Sequence, residues 1–251
     1  RGPDHEQAAA SGVRKMTSLE VLALIPARGG SKGIPRKNLL PIAGKALIVH
    51  TIETALASRR ITRTIVSTDD PEIADVATKA GAEVPFRRPA EHATDEATDL
   101  QVFRHALGWL AAEGYQPDLV VHLRPTQPAR EAAVVDRGID EMIKHPEADS
   151  LRSVELAEHT PYKMYCIDGG RLRPVLAVSG LPEAHNMPRQ QLPPVYRGNG
   201  YVDVLRPRVL EQDSMNGALI LPFVIFERVL DLDYPDQIPS LERALTNSRR
   251  P

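Results

Sequence analysis

The stretch IPARGGSKGIPRKN, from Ile25 to Asn38, decides how this chain is read. It follows the apolar run Leu22-Ala23-Leu24-Ile25, which has the character of a buried strand that Pro26 ends. Gly29, Gly30 and Gly33 let the backbone approach a ligand with no Cβ in the way. Arg28 and Lys32 add charge of two kinds, a planar fork that grips two oxygens and a mobile point charge, which together suit a polyphosphate. The plainer alternative is a glycine-rich turn with two solvated cations. Spacing excludes two familiar phosphate loops, because the glycines do not fit G-x-G-x-x-G and Lys32 is not preceded by G-x-x-x-x-G.

Outward from this turn, strand-like and helix-like segments alternate. Helices are expected over 46–57, 71–79, 99–112, 131–144 and near 238–245, and strands over 63–67, 82–86, 119–123, 149–154, 200–205 and 218–221. This rhythm predicts an α/β fold with a doubly wound, mainly parallel sheet. Between Glu155 and Tyr196 six prolines break it, and Gly169-Gly170 reads as a hairpin turn. The segment 155–196 is expected to be a small inserted lid or dimerisation subdomain rather than an irregular loop. Open parallel sheets bind ligands at the carboxyl ends of their strands. That rule assigns the Arg28 turn, Thr68-Asp69, Arg124-Pro125 and the segment after Val229 to one rim.

Composition narrows the classes. A chain of 251 residues can bury one full core, here expected over 19–245, with residues 1–18 a flexible extension and 246–251 a flexible tail. Net charge is −2, too little positive field to hold nucleic acid. With one cysteine, Cys166, no intramolecular disulfide can form; a reducing cytoplasm is the expected compartment and a small buried hydrophobe the expected role of that residue. No run of 18 apolar residues and no signal-peptide pattern is seen, so no membrane span is expected.

Near the other end, LDLDYPD places Asp231 and Asp233 two apart. In extended chain both carboxylates face one side, and Mg²⁺ commonly binds through one or two carboxylates plus phosphates and water. The alternative is that Asp233 simply caps the helix that follows.

Taken together, IPARGGSKGIPRKN, RPAEHATDEATD (Arg88–Asp99), EHTPYK, MPRQQLPPVYRGNG and the Asp-x-Asp element resemble the acylneuraminate cytidylyltransferases, which activate sialic-acid-like sugars as CMP conjugates. The resemblance spans nearly all of 22–245. It implies that Arg28, Gly30, Ser31, Lys32 and Asn38 bind the nucleotide, that Arg88–Asp99 is the base-and-ribose segment with Arg88 meeting the cytosine carbonyl, and that Ala97 and Asp99 also bind the nucleotide, Asp99 near the base. It nominates Arg124, Lys163, Arg189, Arg197 and Asn199 for the sugar acid, and Asp231 and Asp233 for Mg²⁺. It also implies a homodimer, whose insert reaches the partner's site. The expected reaction is attack of the anomeric hydroxyl of a 3-deoxy-ulosonic acid on the α-phosphorus of CTP, with Arg28, Lys32 and Asp233 catalytic.

Three positions depart from the family pattern. Asp99 replaces a small hydroxyl residue, Arg124 a glutamine, and Asp203 an aromatic. Asp99 could accept from cytosine or read guanine. Arg124 and Asp203 could pair with each other or recognise an amino- or acyl-modified sugar. The rival readings are another nucleotide or an eight-carbon acid, a pyrophosphorylase of sugar 1-phosphates, and a nucleotide-binding homologue without turnover.

Overall fold

The computed structural model describes residues 19–31, 33–176, 180–227 and 229–247. The extension at 1–18, Lys32 and the last residues of the tail lie outside the described residues. Strand β1 (Val21–Pro26) leads into the glycine turn, and a small hairpin of β2 (Pro41–Ile42) and β3 (Lys45–Ala46) precedes α1 (Leu47–Ala57). Then follow β4 (Arg63–Ser67), α2 (Pro71–Lys79), α3 (Asp99–Ala112), β5 (Leu119–His122), α4 (Ala132–Lys144) and β6 (Ser150–Leu156). A hairpin of β7 (Tyr165–Asp168) and β8 (Arg171–Pro174) stands apart before β9 (Tyr196–Leu205), α5 (Arg208–Glu211), β10 (Ile220–Val224) and α6 (Ile238–Asn247).

The helix starts have local causes. Asp70 caps α2 by accepting from the amides of Glu72 and Ile73, with Pro71 in the first turn, and Thr98 and Gln101 form a reciprocal capping box on α3. Gly169 and Gly170 both take positive φ (55° and 75°), as a tight hairpin turn requires.

Six strands form the main sheet in the order β10-β6-β9-β5-β1-β4. Pairing is parallel at β1–β4, β1–β5 and β10–β6, whereas β9 runs antiparallel to both β5 and β6. Strand β1 is apolar throughout because both faces are covered. Val21, Ala23 and Ile25 pack with α1, α2 and α4; Leu22 and Leu24 pack with Phe103, Ala106 and Leu110 of α3.

Three expectations need correction. The strand over 82–86 is a single parallel bridge, Ile65 to Glu83, because Pro85 has no amide to continue a ladder. Cys166 is exposed, on the free-standing β7–β8 hairpin. At the other end, α6 extends through Thr246 and Asn247, where the tail was expected. No helix among the described residues is long and apolar enough to cross a membrane.

Candidate active site

The glycine turn leaves the carboxyl end of β1 and is fastened on three sides. The amide of Gly29 donates to Asp69 Oδ1 at 2.9 Å, immediately after β4. Asn38 Nδ2 donates to the carbonyl of Arg28 at 2.9 Å, bracing the turn from its far end. Arg36, in left-handed backbone (φ 52°), reaches Asp70 at 3.1 Å and Glu72 at 2.7 Å. Gly29 has no room for a side chain, since a Cβ there would stand 2.8 Å from Asp70 Oδ2.

The fourth side is the Asp231–Asp233 element. Ile34 of the turn and Leu232 are buried in one cluster with Ile42, Leu47, Leu241 and Leu245. Burial of each such side chain contributes about 2 kcal/mol, enough to bring α6 and its preceding segment against the turn. The Leu232 amide donates to the Thr126 carbonyl at 2.8 Å. A Cβ on Gly33 would lie 2.8 Å from the Asp233 carbonyl. Lys37 spans the junction, its Nζ donating to the Leu232 carbonyl at 2.9 Å and to Asp233 Oδ1 at 3.3 Å. With Leu232 turned into the core, Asp231 and Asp233 both line a cleft shared with Arg197, Gly198 and Asn199.

The capping alternative for Asp233 fails. The turn at Pro235–Gln237 is preceded by Tyr234 and has no side-chain cap; Gln237 Oε1 instead accepts from the Asp233 and Tyr234 amides. Asp231 Oδ1 is buried with no hydrogen-bond partner among the described residues, an orphaned anionic oxygen that a cation would satisfy. No group of three or more His, Cys, Asp or Glu among the described residues could hold a metal. The pair therefore suits a hard divalent ion completed by phosphate and water, not a closed protein cage.

A cleft of about 320 Å³ lies between the turn and the β5 end, lined among others by Arg28, Gly30, Ser31, Lys37, Asn38, Arg88, Ala97, Asp99 and Arg124. The residues named for the nucleotide, apart from Lys32, thus line one space. Their present bonds are specific. Arg28 is held by Asp95 Oδ1 and the Thr94 carbonyl, each at 2.6 Å. Arg88 is only 4% exposed; it donates to the carbonyl and hydroxyl of Ser67 and to the His92 carbonyl. Burial pushes its pKa down to about 10, so the guanidinium stays charged at neutral pH. Arg124 Nη1 pairs with Asp203 Oδ2 at 2.9 Å and Nη2 with Asp99 Oδ2 at 3.4 Å, and Gly200 (φ 64°) leaves the space for it.

The residues named for the sugar acid divide. Arg197 and Asn199 line the cleft with Asp231 and Asp233, and Arg197 pairs with Glu155. Lys163 and Arg189 lie outside it on the exposed insert, where Arg189 donates to the Ala157 carbonyl at 3.2 Å. Sequence reasoning placed Asp69 on the rim without a role, and missed Lys37, which sits beside Asn38 in the opening motif, as well as Asp95 and Thr126.

A six-stranded, mainly parallel sheet with its cleft at the strands' carboxyl ends defines an α/β protein of the open-sheet kind. The chain belongs to the cytidylyltransferase family, to which residues 22–160 match. It is 38% identical over 124 residues to a pseudaminic acid cytidylyltransferase of Campylobacter jejuni, covering 49% of this chain and 53% of that protein. It is 38% identical over 113 residues to an N-acylneuraminate cytidylyltransferase of Escherichia coli, covering 45% of this chain and 26% of that protein. The chain thus spans about half the length, or less, of these curated relatives. The fold is shared with a CMP:2-keto-3-deoxy-manno-octonic acid synthetase solved in complex with CTP (TM-score 0.69, 18% identity, 91% of this chain and 99% of that one). Members of the family usually use a divalent metal.

Proposed function

We propose that the protein is an enzyme that couples CTP to the anomeric hydroxyl of a sialic-acid-like nine-carbon 3-deoxy-ulosonic acid, yielding a CMP-sugar and pyrophosphate. One observation carries the reading: Lys37 joins the glycine turn to the Asp231–Asp233 element, so a triphosphate on the turn lies beside two carboxylates suited to Mg²⁺. The names of the two curated relatives favour a nine-carbon acid over an eight-carbon one.

In this reading the backbone at Gly30 and Ser31 and the cations of Arg28, Lys32 and Lys37 cradle the triphosphate. Arg28 exchanges Asp95 for phosphate oxygen, and Asn38, by holding the Arg28 carbonyl, orients that exchange. Arg88, fixed on Ser67, and Asp99 face the base, with Ala97 leaving room for it. The anomeric oxygen bonds to the α-phosphorus as the bond to the bridging β-phosphate oxygen breaks; the hydroxyl proton leaves to solvent, and the cations offset charge on pyrophosphate. Mg²⁺ on Asp231 and Asp233 would supply further neutralisation and Lewis acidity. Arg124, Arg197 and Asn199 line the side from which the acid enters, and Lys163 and Arg189 act from the insert. The apolar residues bared on that insert, Ile167 (77% exposed) and Leu172 (67%) among them, support a second copy of the chain as partner, a state that light scattering over a concentration series reads.

The test is pyrophosphate release from four nucleoside triphosphates against nine- and eight-carbon sugar acids and a sugar 1-phosphate, with and without Mg²⁺. Metal-dependent turnover confined to CTP with a nine-carbon acid is expected, and Arg28→Ala and Asp233→Ala should abolish it. Release with GTP alone, with the sugar phosphate alone, or undiminished in either variant defeats the reading.

A further inference from the structure

Between β5 and α4 the chain runs Arg124-Pro125-Thr126-Gln127-Pro128-Ala129-Arg130, a loop of turns punctuated by two prolines. Several parts of the rim meet on it. The Thr126 carbonyl accepts from the Leu232 amide at 2.8 Å, midway between Asp231 and Asp233. Gln127 Nε2 donates to the Asn199 carbonyl, and Ala129 packs against the cluster that buries Ile34 and Leu232. The position of the two carboxylates is thus tied, through one bond to a main-chain oxygen, to where this loop lies.

Arg130 is what fastens the loop. Its guanidinium donates to acceptors on three elements: Nε to the Tyr201 carbonyl on β9, Nη2 to the Arg124 carbonyl at 3.1 Å, and Nη1 to the Thr51 hydroxyl of α1 at 3.4 Å. The bond to Arg124 closes the loop into a ring; the other two pin that ring to the sheet and to α1. The backbone adds two ties at the same point, the Thr54 hydroxyl donating to the Arg130 carbonyl at 3.2 Å and the Glu131 amide to the Tyr201 hydroxyl at 2.7 Å. Pro125 and Pro128 have no amide to donate, so the rigid fork of one arginine supplies donors that the loop's own main chain lacks.

Arg130 is only 5% exposed. Burial pushes its pKa down to about 10, which still leaves it charged at neutral pH, with Asp231 and Asp203 among the groups whose field favours the charge. Taking a guanidinium out of water is costly, and an apolar side chain of similar volume often serves a fold as well or better. An apolar contact, however, has no direction. A planar fork holds its acceptors at fixed angles and separations, which is what a loop needs if it is to place something else.

We infer that Arg130 is a positioning residue for the metal pair: it holds the 124–130 loop so that Thr126 sets Asp231 and Asp233 where a divalent ion needs them, a role that rests on the function proposed above. It acts through the Thr126–Leu232 bond and touches neither nucleotide nor metal.

Mn²⁺ is the probe, because it suits the same oxygen ligands as Mg²⁺ and its free-ion paramagnetic resonance signal reports binding without turnover. Titrations use the full chain with CTP, corrected for CTP alone. Arg130→Met, of similar length but without donors, should weaken Mn²⁺ binding by about tenfold to a hundredfold, the usual loss when a group that orients a metal ligand is removed. Its kcat should fall by about a hundredfold as the carboxylates shift. Metal-free CTP binding, read by calorimetry, should stay close to wild type, since Asp69 and Asn38 still brace the glycine turn. Arg130→Lys keeps the charge, but one ammonium cannot span the Tyr201 and Arg124 carbonyls as the fork does; its Mn²⁺ binding should weaken by a smaller factor, again with metal-free CTP binding unmoved. Thermal melts check that each variant folds. Undiminished Mn²⁺ affinity in Arg130→Met overturns the proposal, as it does in Arg130→Lys should the first variant fail to fold. An equal loss of metal-free CTP binding, or failure of both variants to fold, also overturns it, since Arg130 would then serve the fold at large. Wild-type turnover with undiminished Mn²⁺ binding in the variants defeats this role alone; no pyrophosphate release by the wild type with any sugar acid defeats the function beneath it.

Discussion

The nucleotide rim and the insert are built on opposite principles. At the rim, segments far apart in the chain are locked together. The Gly29 amide is held by Asp69, the Arg28 carbonyl by Asn38, the Leu232 amide by Thr126, and Ile34 and Leu232 share one buried cluster. In the insert, every residue of β7 and β8 is exposed, and Arg189 and Arg197 tie it down by single partners, Ala157 and Glu155. The difference is what the proposed reaction would ask for. Stabilising charge on a triphosphate needs dipoles and cations that are already in place, because reorganising them during reaction forfeits the gain. Gripping a sugar acid needs a surface that lets a bulky substrate in and then closes on it.

The sharpest way to break this contrast is Lys37→Ala. Lys37 bridges the turn and the carboxylate pair by hydrogen bonds, so its loss should lower kcat by about a thousandfold, the usual worth of a placed charge at a transferring phosphoryl group. The melting temperature should barely move, since the Ile34–Leu232 cluster and the Thr126 bond remain. A Lys37→Ala protein with wild-type turnover would mean that the rim is scaffolding alone.

Gly33→Ala tests the same junction by displacement. Its Cβ would stand 2.8 Å from the backbone carbonyl of Asp233, so turn and carboxylates must separate by several tenths of an ångström. Misplacement of that order should cost about a hundredfold in kcat while leaving the KM of the sugar acid close to wild type. Wild-type kcat in Gly33→Ala would show that this contact does not set the spacing of turn and carboxylates.

The same contrast explains what could be read from the sequence. Strand β1, the α3 and α4 helices, the Gly169-Gly170 turn and the two halves of the rim announce themselves through period and local chemistry, and α3 begins and ends at the residues expected. Long-range partners do not. Nothing near Arg28 foretells Asp95, and nothing near Lys37 foretells a bond to Leu232, because those meetings depend on strand order and on α6 folding back. The reversed direction of β9 is equally silent in the sequence: an apolar strand looks alike run either way. Arg88 was legible as a residue of the site but not as one held in place by Ser67 beneath the cleft.

Arg189→Ala gives the smallest expected effect and bears on the insert. Its guanidinium is exposed and, among the described residues, donates to the Ala157 carbonyl alone, so removing it should change folding stability by less than about 0.5 kcal/mol. If Arg189 grips the sugar carboxylate when the insert closes, the KM of the acid should rise about tenfold, the worth of one charge-assisted bond, while the KM of CTP stays put. The rim, held together by its own chain, should not register the change. Steady-state kinetics with each substrate varied in turn decides this: a rise in the KM of CTP equal to or larger than that of the acid would mean that the insert and the rim act as one body, and the division drawn between them would fall.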